Sequence, residues 1–189
     1  MGTIKTENMS YFNDRKLETN FKLQKHEKNW LPFTNQDELY LVYKFQPHII
    51  LNCDPITAYC RQEYSTPCSL KWQYGIISGG SSPILIGDEY LSFFHSWRET
   101  ASHGPRIYYV GAYTFQDKPP FGILRYTTSP LWQKDFYTTP SPSKHKVLFP
   151  TSAFLDKDDV IMVYGENDAT TKQAKFNLEE LSRLMVINK

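Results

Sequence analysis

Two acids followed by an apolar or aromatic-rich run is a pattern this chain uses three times. Asp37-Glu38 leads into Leu39-Tyr40-Leu41-Val42-Tyr43, and Asp88-Glu89 into Tyr90-Leu91-Ser92-Phe93-Phe94. Asp158-Asp159 leads into Val160-Ile161-Met162-Val163-Tyr164. Acidic residues suit a tight turn and a β-prone run suits a buried strand, so each unit predicts a hairpin entering a sheet. Recurrence over several tens of residues predicts stacked β-units such as propeller blades. A propeller gathers its chemistry at a central mouth, on residues where the inner strands end.

The rest of the pattern fills in around these units. Ile107 to Phe115 predicts a strand, which Pro119-Pro120 must stop because proline cannot donate to a ladder. Gly122-Ile123-Leu124-Arg125-Tyr126 reads as the outer strand of that blade, and residues 171–176 as the strand after the third unit. Leu178, Leu181, Leu184 and Met185 have helical spacing, and Asn177 is placed to cap a short C-terminal helix. Residues 52–70, rich in Cys, Pro, Thr and Ser, read as a long connection. Gly79-Gly80 suits a sharp bend or a close backbone approach, and no Gly-Lys-Ser/Thr follows to make a phosphate-binding loop. The expected fold is all-β: a partial, about three-bladed β-propeller with a short C-terminal helix. Residues 1–24 form an N-terminal extension or edge strand, and residues 25–189 an incomplete propeller-like domain.

Composition narrows the function classes. The 13 Tyr, 12 Phe and 4 Trp suit sheet cores and sugar-stacking platforms. A net charge of +1 gives no field to draw nucleic acid or an anionic membrane, so neither is expected as a partner. No apolar run approaches the roughly 20 residues a membrane span requires. The polar start, residues 1–10, has no signal-peptide core, which points to the cytosol. Cys53, Cys60 and Cys68 are odd in number and lack metal-site spacing, so free thiols and no metal site are expected.

The ordered set of segments carries a resemblance. Glu27-Lys28-Asn29-Trp30-Leu31-Pro32-Phe33 is followed by Gly79-Gly80-Ser81-Ser82-Pro83 and Tyr90-Leu91-Ser92-Phe93-Phe94-His95. Then come Tyr109-Val110-Gly111-Ala112-Tyr113, Val147-Leu148-Phe149-Pro150 and Tyr164-Gly165-Glu166-Asn167-Asp168. This order resembles glycoside hydrolase family 130, the mannoside phosphorylases and β-mannosidases, with their glycosyltransferase-like relatives, over roughly residues 25 to 180. The resemblance implies a five-bladed propeller whose central pocket holds a mannoside, with inorganic phosphate as co-substrate in the phosphorylases and no other cofactor. It implies a phosphate contact for Lys28, a place in the same anion site for His95, and sugar-hydroxyl contacts for Asp168. Tyr109 and Arg125 fall near positions where the family uses polar groups. The family's Glu-Asp-Pro-Arg-like segment and its general acid have no counterpart in this sequence, so no catalytic residue is assigned.

Each candidate has a plainer alternative. Lys28 also suits a solvated turn, His95 a hydrogen-bonded core histidine, and His48, the register equivalent in the first unit, a loop histidine. Glu166, Asn167 and Asp168 suit a sugar cradle or an ordinary turn, and lie too close in sequence to face each other across a glycosidic bond. Trp97 suits sugar stacking or rim packing. The expected function is carbohydrate-active: binding of a mannose-type or related hexose glycan in a propeller pocket, with catalysis incomplete. Hexose transfer from a sugar donor and a non-enzymatic β-sheet interaction module are the alternatives. Open blade edges invite self-association or completion by a further N-terminal segment.

Overall fold

In the computed structural model, residues 3–5, 10–12 and 15–188 are described. The chain's regular secondary structure among the described residues is strand, apart from one short helix. β1 (Thr3–Lys5) and β2 (Ser10–Phe12) form an antiparallel pair. The first blade contains β3 (Glu18–Thr19), β4 (Leu31–Asn35), β5 (Glu38–Phe45), β6 (His48–Cys53) and β7 (Tyr59–Thr66), in the order β3-β7-β6-β5-β4. The second holds β8 (Ser78–Gly79), β9 (Ile84–Ile86), β10 (Glu89–Glu99), β11 (Arg106–Gln116) and β12 (Ile123–Thr127). The third is β13 (Leu148–Asp156), β14 (Asp159–Glu166) and β15 (Thr170–Asn177). Helix α1 (Leu178–Arg183) follows, and β16 (Met185–Ile187) returns to pair with β12 of the second blade. This is the expected partial propeller.

The acidic repeat marks one place in every blade. Each acid pair closes the turn between the first and second strands, where Asn35 faces Glu38, Ile86 faces Glu89 and Asp156 faces Asp159. Positive φ at Gln36, Asp37, Gly87 and Lys157 gives these turns the twist of two-residue hairpins. The repeated runs are therefore second strands, and the inner positions belong to β4, β8 with β9, and β13.

Burial follows the stacking. The second blade has a blade on each side, so β10 is buried continuously from Tyr90 to Ser96. Phe94 joins the cluster shared with the first blade, where Leu31, Phe33, Val42, Phe45 and Ile50 lie. Its neighbour Phe93 points the other way, to Leu148, Met162, Tyr164 and Phe176 of the third. The third blade is buried on one face only: along β15 Ala174 and Phe176 are covered while Gln173 and Lys175 are exposed. The far face of the first blade carries Leu41, Ile49 and Leu51, and Leu17, Phe21 and Trp30 lie over it.

Three local expectations change. Residues 52–70 are not all connection, because β7 runs through them. Asn177 caps α1 as expected, its Oδ1 accepting from Glu179 N at 3.1 Å and Glu180 N at 3.2 Å, but Met185 leaves the helix and pairs with Thr127 as a strand. Cys53 and Cys60 are not free thiols: they face each other across β6 and β7 and form a disulfide, while Cys68 is free. The spacing of seven residues hides this, since only the hairpin brings the pair opposite.

Candidate functional site

The inner strands begin side by side. Asn29, in the left-handed region at φ 62°, precedes β4 and donates from Nδ2 to Ser78 Oγ at 3.2 Å. A Cβ on Gly79 would lie 2.0 Å from Asn29 O, and one on Gly80 2.6 Å from Phe93 O and 3.0 Å from Pro150. The two glycines thus let three blades meet, which is the close approach their sequence suggested, made to protein backbone.

At this junction a cavity of about 380 Å³ opens between the first and second blades. Lys28, Lys44, Asn29, Gln46 and Ser78 supply its polar groups, and Tyr43 and Trp72 its aromatic walls. Local chemistry sets these side chains. Glu27 accepts from Gln24 N at 2.6 Å, Trp30 Nε1 at 3.2 Å and the Tyr43 hydroxyl at 3.0 Å, fixing the turn that carries Lys28. A β-bulge between Val42 and Lys44 breaks the register of β5 against β6 beside the cavity, where Lys44 Nζ stands 5.5 Å from the Tyr43 ring centre. Trp72 is pinned by its Nε1 donating to Ser96 Oγ at 2.8 Å. No carboxylate is among the lining residues, and among the described residues no group of three His, Cys, Asp or Glu is placed to hold a metal ion.

Lys28 and His95 are brought together in part. Lys28 is exposed and lines the cavity; His95, 4% exposed, lies one strand behind it, paired with Ser78. The His95 ring sits 4.5 Å from Phe149 and stacks on Tyr108 at 5.9 Å, and its Nδ1 has no hydrogen-bond partner among the described residues. Burial lowers its pKa to about 4, with the Gly79 backbone opposing and the nearby Lys28 charge adding to the depression.

The other candidates lie elsewhere. His48 is fully buried among Phe45, Tyr113 and Phe115, with Nδ1 at 2.8 Å from Phe121 O, and burial lowers its pKa to about 4. Glu166 is fully buried at the end of β14, where its carboxylate accepts from Tyr137 N at 3.0 Å, Thr139 N and Lys172 Nζ at 3.0 Å. Burial pushes that carboxyl up, but the Thr139 N–H and Lys172 outweigh it and hold the pKa below the ordinary glutamate value. Asn167 bonds Val147 N at 2.7 Å and Thr139 O at 2.7 Å, and Asp168 is exposed in the same left-handed turn. Tyr109 lines a separate cavity beside residues 130–137. Trp97 belongs to β10, and Arg106 covers its ring at 4.1 Å. Arg125 bonds Glu89 and Ser182, tying β12 to β10 and α1.

Lys44, Gln46 and Trp72 carry no signal in the sequence that sets them apart. Asn29 does, since it sits inside the segment that carries the family resemblance.

No family model matches the chain, and no curated protein does. Solved structures do. A β-1,2-mannobiose phosphorylase from Listeria innocua, in complex with β-1,2-mannobiose, superposes with a TM-score of 0.62 at 16% identity, over 85% of this chain and 47% of that one. A glycosyl hydrolase from Bacteroides ovatus gives 0.56 at 10% identity, over 80% and 48%. The chain spans about half the length of these structures, and the likeness is one of fold.

Proposed function

We propose that this chain binds a hexose glycan of mannoside type in the cavity between its first and second blades. The observation that carries this reading is the lining itself: two lysines, two amides and a serine beside Tyr43 and Trp72, at the meeting point of the inner strands. Aromatic faces and convergent polar donors suit a sugar ring with its hydroxyls. A protein sharing the fold was solved with β-1,2-mannobiose bound. Lys28 and Lys44 are the groups for an anion beside the sugar, and inorganic phosphate is the anion we infer, with lysine acting as a point charge.

Binding rather than cleavage is the role proposed for the chain taken alone. Breaking a glycosidic bond requires an acid at the leaving oxygen and a nucleophile or base opposite. The lining has no carboxylate, and Glu166 is committed to backbone N–H groups and Lys172. Calorimetric titration with β-1,2-mannobiose, with and without phosphate, tests this. Lys28→Ala should weaken the phosphate-dependent binding by about 1.5–3 kcal/mol, the cost of a lost charged hydrogen bond. Unchanged binding in that variant would remove the reading, and rapid release of sugar phosphate by the wild-type chain would overturn the binding-only role.

A further inference from the structure

A second cavity, of about 470 Å³, lies outside the mouth and shares no lining residue with it. Its walls include Tyr109, Leu131, Trp132, Phe136, Tyr137 and Lys146. Trp132 is 68% exposed, an unusual position for the largest apolar side chain, and its ring lies 6.2 Å from Tyr137 and 6.5 Å from Phe136. The rings rest on a firm base. Phe136 packs on Tyr164 at 5.1 Å, the Tyr137 hydroxyl donates to Tyr108 O, and Tyr137 N donates to buried Glu166 at 3.0 Å. The segment is stitched to the open edge of β11 by Leu131 N to Val110 O at 2.8 Å and Tyr108 N to Lys146 O at 2.9 Å.

From this geometry we infer that the cavity is a second sugar-stacking subsite, which takes the distal units of a glycan longer than a disaccharide. The inference rests on the glycan reading of the mouth. An exposed indole flanked by further rings offers a flat face to the apolar side of a pyranose, and Tyr109 and Lys146 place a hydroxyl and an ammonium at the same wall. Continuity with the mouth fixes the occupant. Between Ser78 at the mouth and the residue 131–146 segment stand β10 and β11, so three strand spacings separate them, roughly 14 Å at about 4.8 Å each. Tyr74 links the two places: its ring lies 5.1 Å from Trp72 in the wall of the mouth and 5.1 Å from Tyr109 in the wall of the second cavity. A disaccharide held in the mouth ends short of Trp132, whereas a longer chain crosses Tyr74 and Tyr109 and reaches it.

The test compares mannobiose with mannotetraose on wild type, W132A and K28A by calorimetry, alongside the indole N–H resonance of Trp132 in the wild-type protein. W132A should lose about tenfold in mannotetraose affinity, as expected when one aromatic anchor is truncated, with mannobiose binding unchanged. The Trp132 resonance should shift with mannotetraose and stay still with mannobiose, a readout independent of any variant's folding. Equal mannotetraose binding by W132A and wild type, or an unmoved resonance, would overturn the subsite. If K28A leaves mannobiose binding in the presence of phosphate intact while W132A weakens mannotetraose, the mouth reading falls, and Trp132 keeps a sugar site of its own but loses the distal role; the reverse keeps the mouth and removes the subsite. Absence of binding by wild type to either sugar removes both.

Discussion

His48 and His95 are both placed where imidazolium cannot be solvated, and burial takes each pKa to about 4. In the unfolded chain a histidine titrates near 6.5. Between these values the unfolded state binds more protons, so the stability these groups carry is whole above about pH 6.5. It drains as pH falls towards 4, by roughly 3 kcal/mol for each at about 1.4 kcal/mol per pH unit. Urea unfolding at neutral pH and near pH 4 should show the loss. Because the Lys28 charge adds to the depression at His95, Lys28→Ala should raise the His95 pKa and leave His48 in place, which imidazole resonances will report. Glu166 behaves as a structural anion: its contribution is whole above the ordinary carboxylate range and is lost as pH falls through its lowered pKa. Glu166→Ala strands the Tyr137 and Thr139 N–H groups and leaves Lys172 with only Thr138 Oγ1 and Asp135 O, and should cost about 3 kcal/mol in chemical denaturation. A smaller cost would mean that water replaces the carboxylate with little loss.

At the scale of elements, hairpins were the legible part. Acid pairs before apolar runs located three first-to-second strand turns because turn chemistry is local. What those runs were within a blade was not legible, since inner and second strands share the same composition and differ only in what lies beside them. His48, His95 and residues 166–168 therefore come after similar runs in the sequence, yet His48 opens β6 in a core, His95 lies within β10 behind a cavity, and residues 166–168 lead from the end of β14 into a hairpin tip. The β6–β7 hairpin shows the same limit. Pro, Thr and Ser there suggested a loop, and the Cys53–Cys60 bond depends on a register of β7 that no local pattern announced. Titration of the denatured, unreduced protein should find the one thiol of Cys68. Three reactive thiols would remove the crosslink. Cys53→Ser should destabilise by about 2–3 kcal/mol, the loop-closure scale for a short ring. Such a bond persists in oxidising surroundings.

Across the whole molecule, the three blades close off their own apolar faces in different ways. The third turns Gln173 and Lys175 outward, while the first is covered by Leu17, Phe21 and Trp30. Deleting residues 1–24 should bare Leu41, Ile49 and Leu51 and drive self-association on gel filtration. A monomeric product would show that this cover is dispensable. That segment also reaches the candidate cavity through Gln24, whose N–H donates to Glu27, and Glu27 anchors both Trp30 on that face and Tyr43 in the cavity wall.

The sequence by itself determined the all-β class, the recurring hairpins and the capped helix, because each depends on neighbours along the chain, while the candidacy of Lys28 came from the family resemblance. Only the tertiary structure decided which strands are inner, that Lys44 and Trp72 join Lys28, and that Glu166 and Asn167 bind the 137–147 loop. It also decided that Cys53 meets Cys60 and that Trp132 stands over a cavity of its own. Those are matters of register and blade stacking, in which residues tens of positions apart become neighbours, and a one-residue shift in pairing would turn every side chain of a strand to its other face.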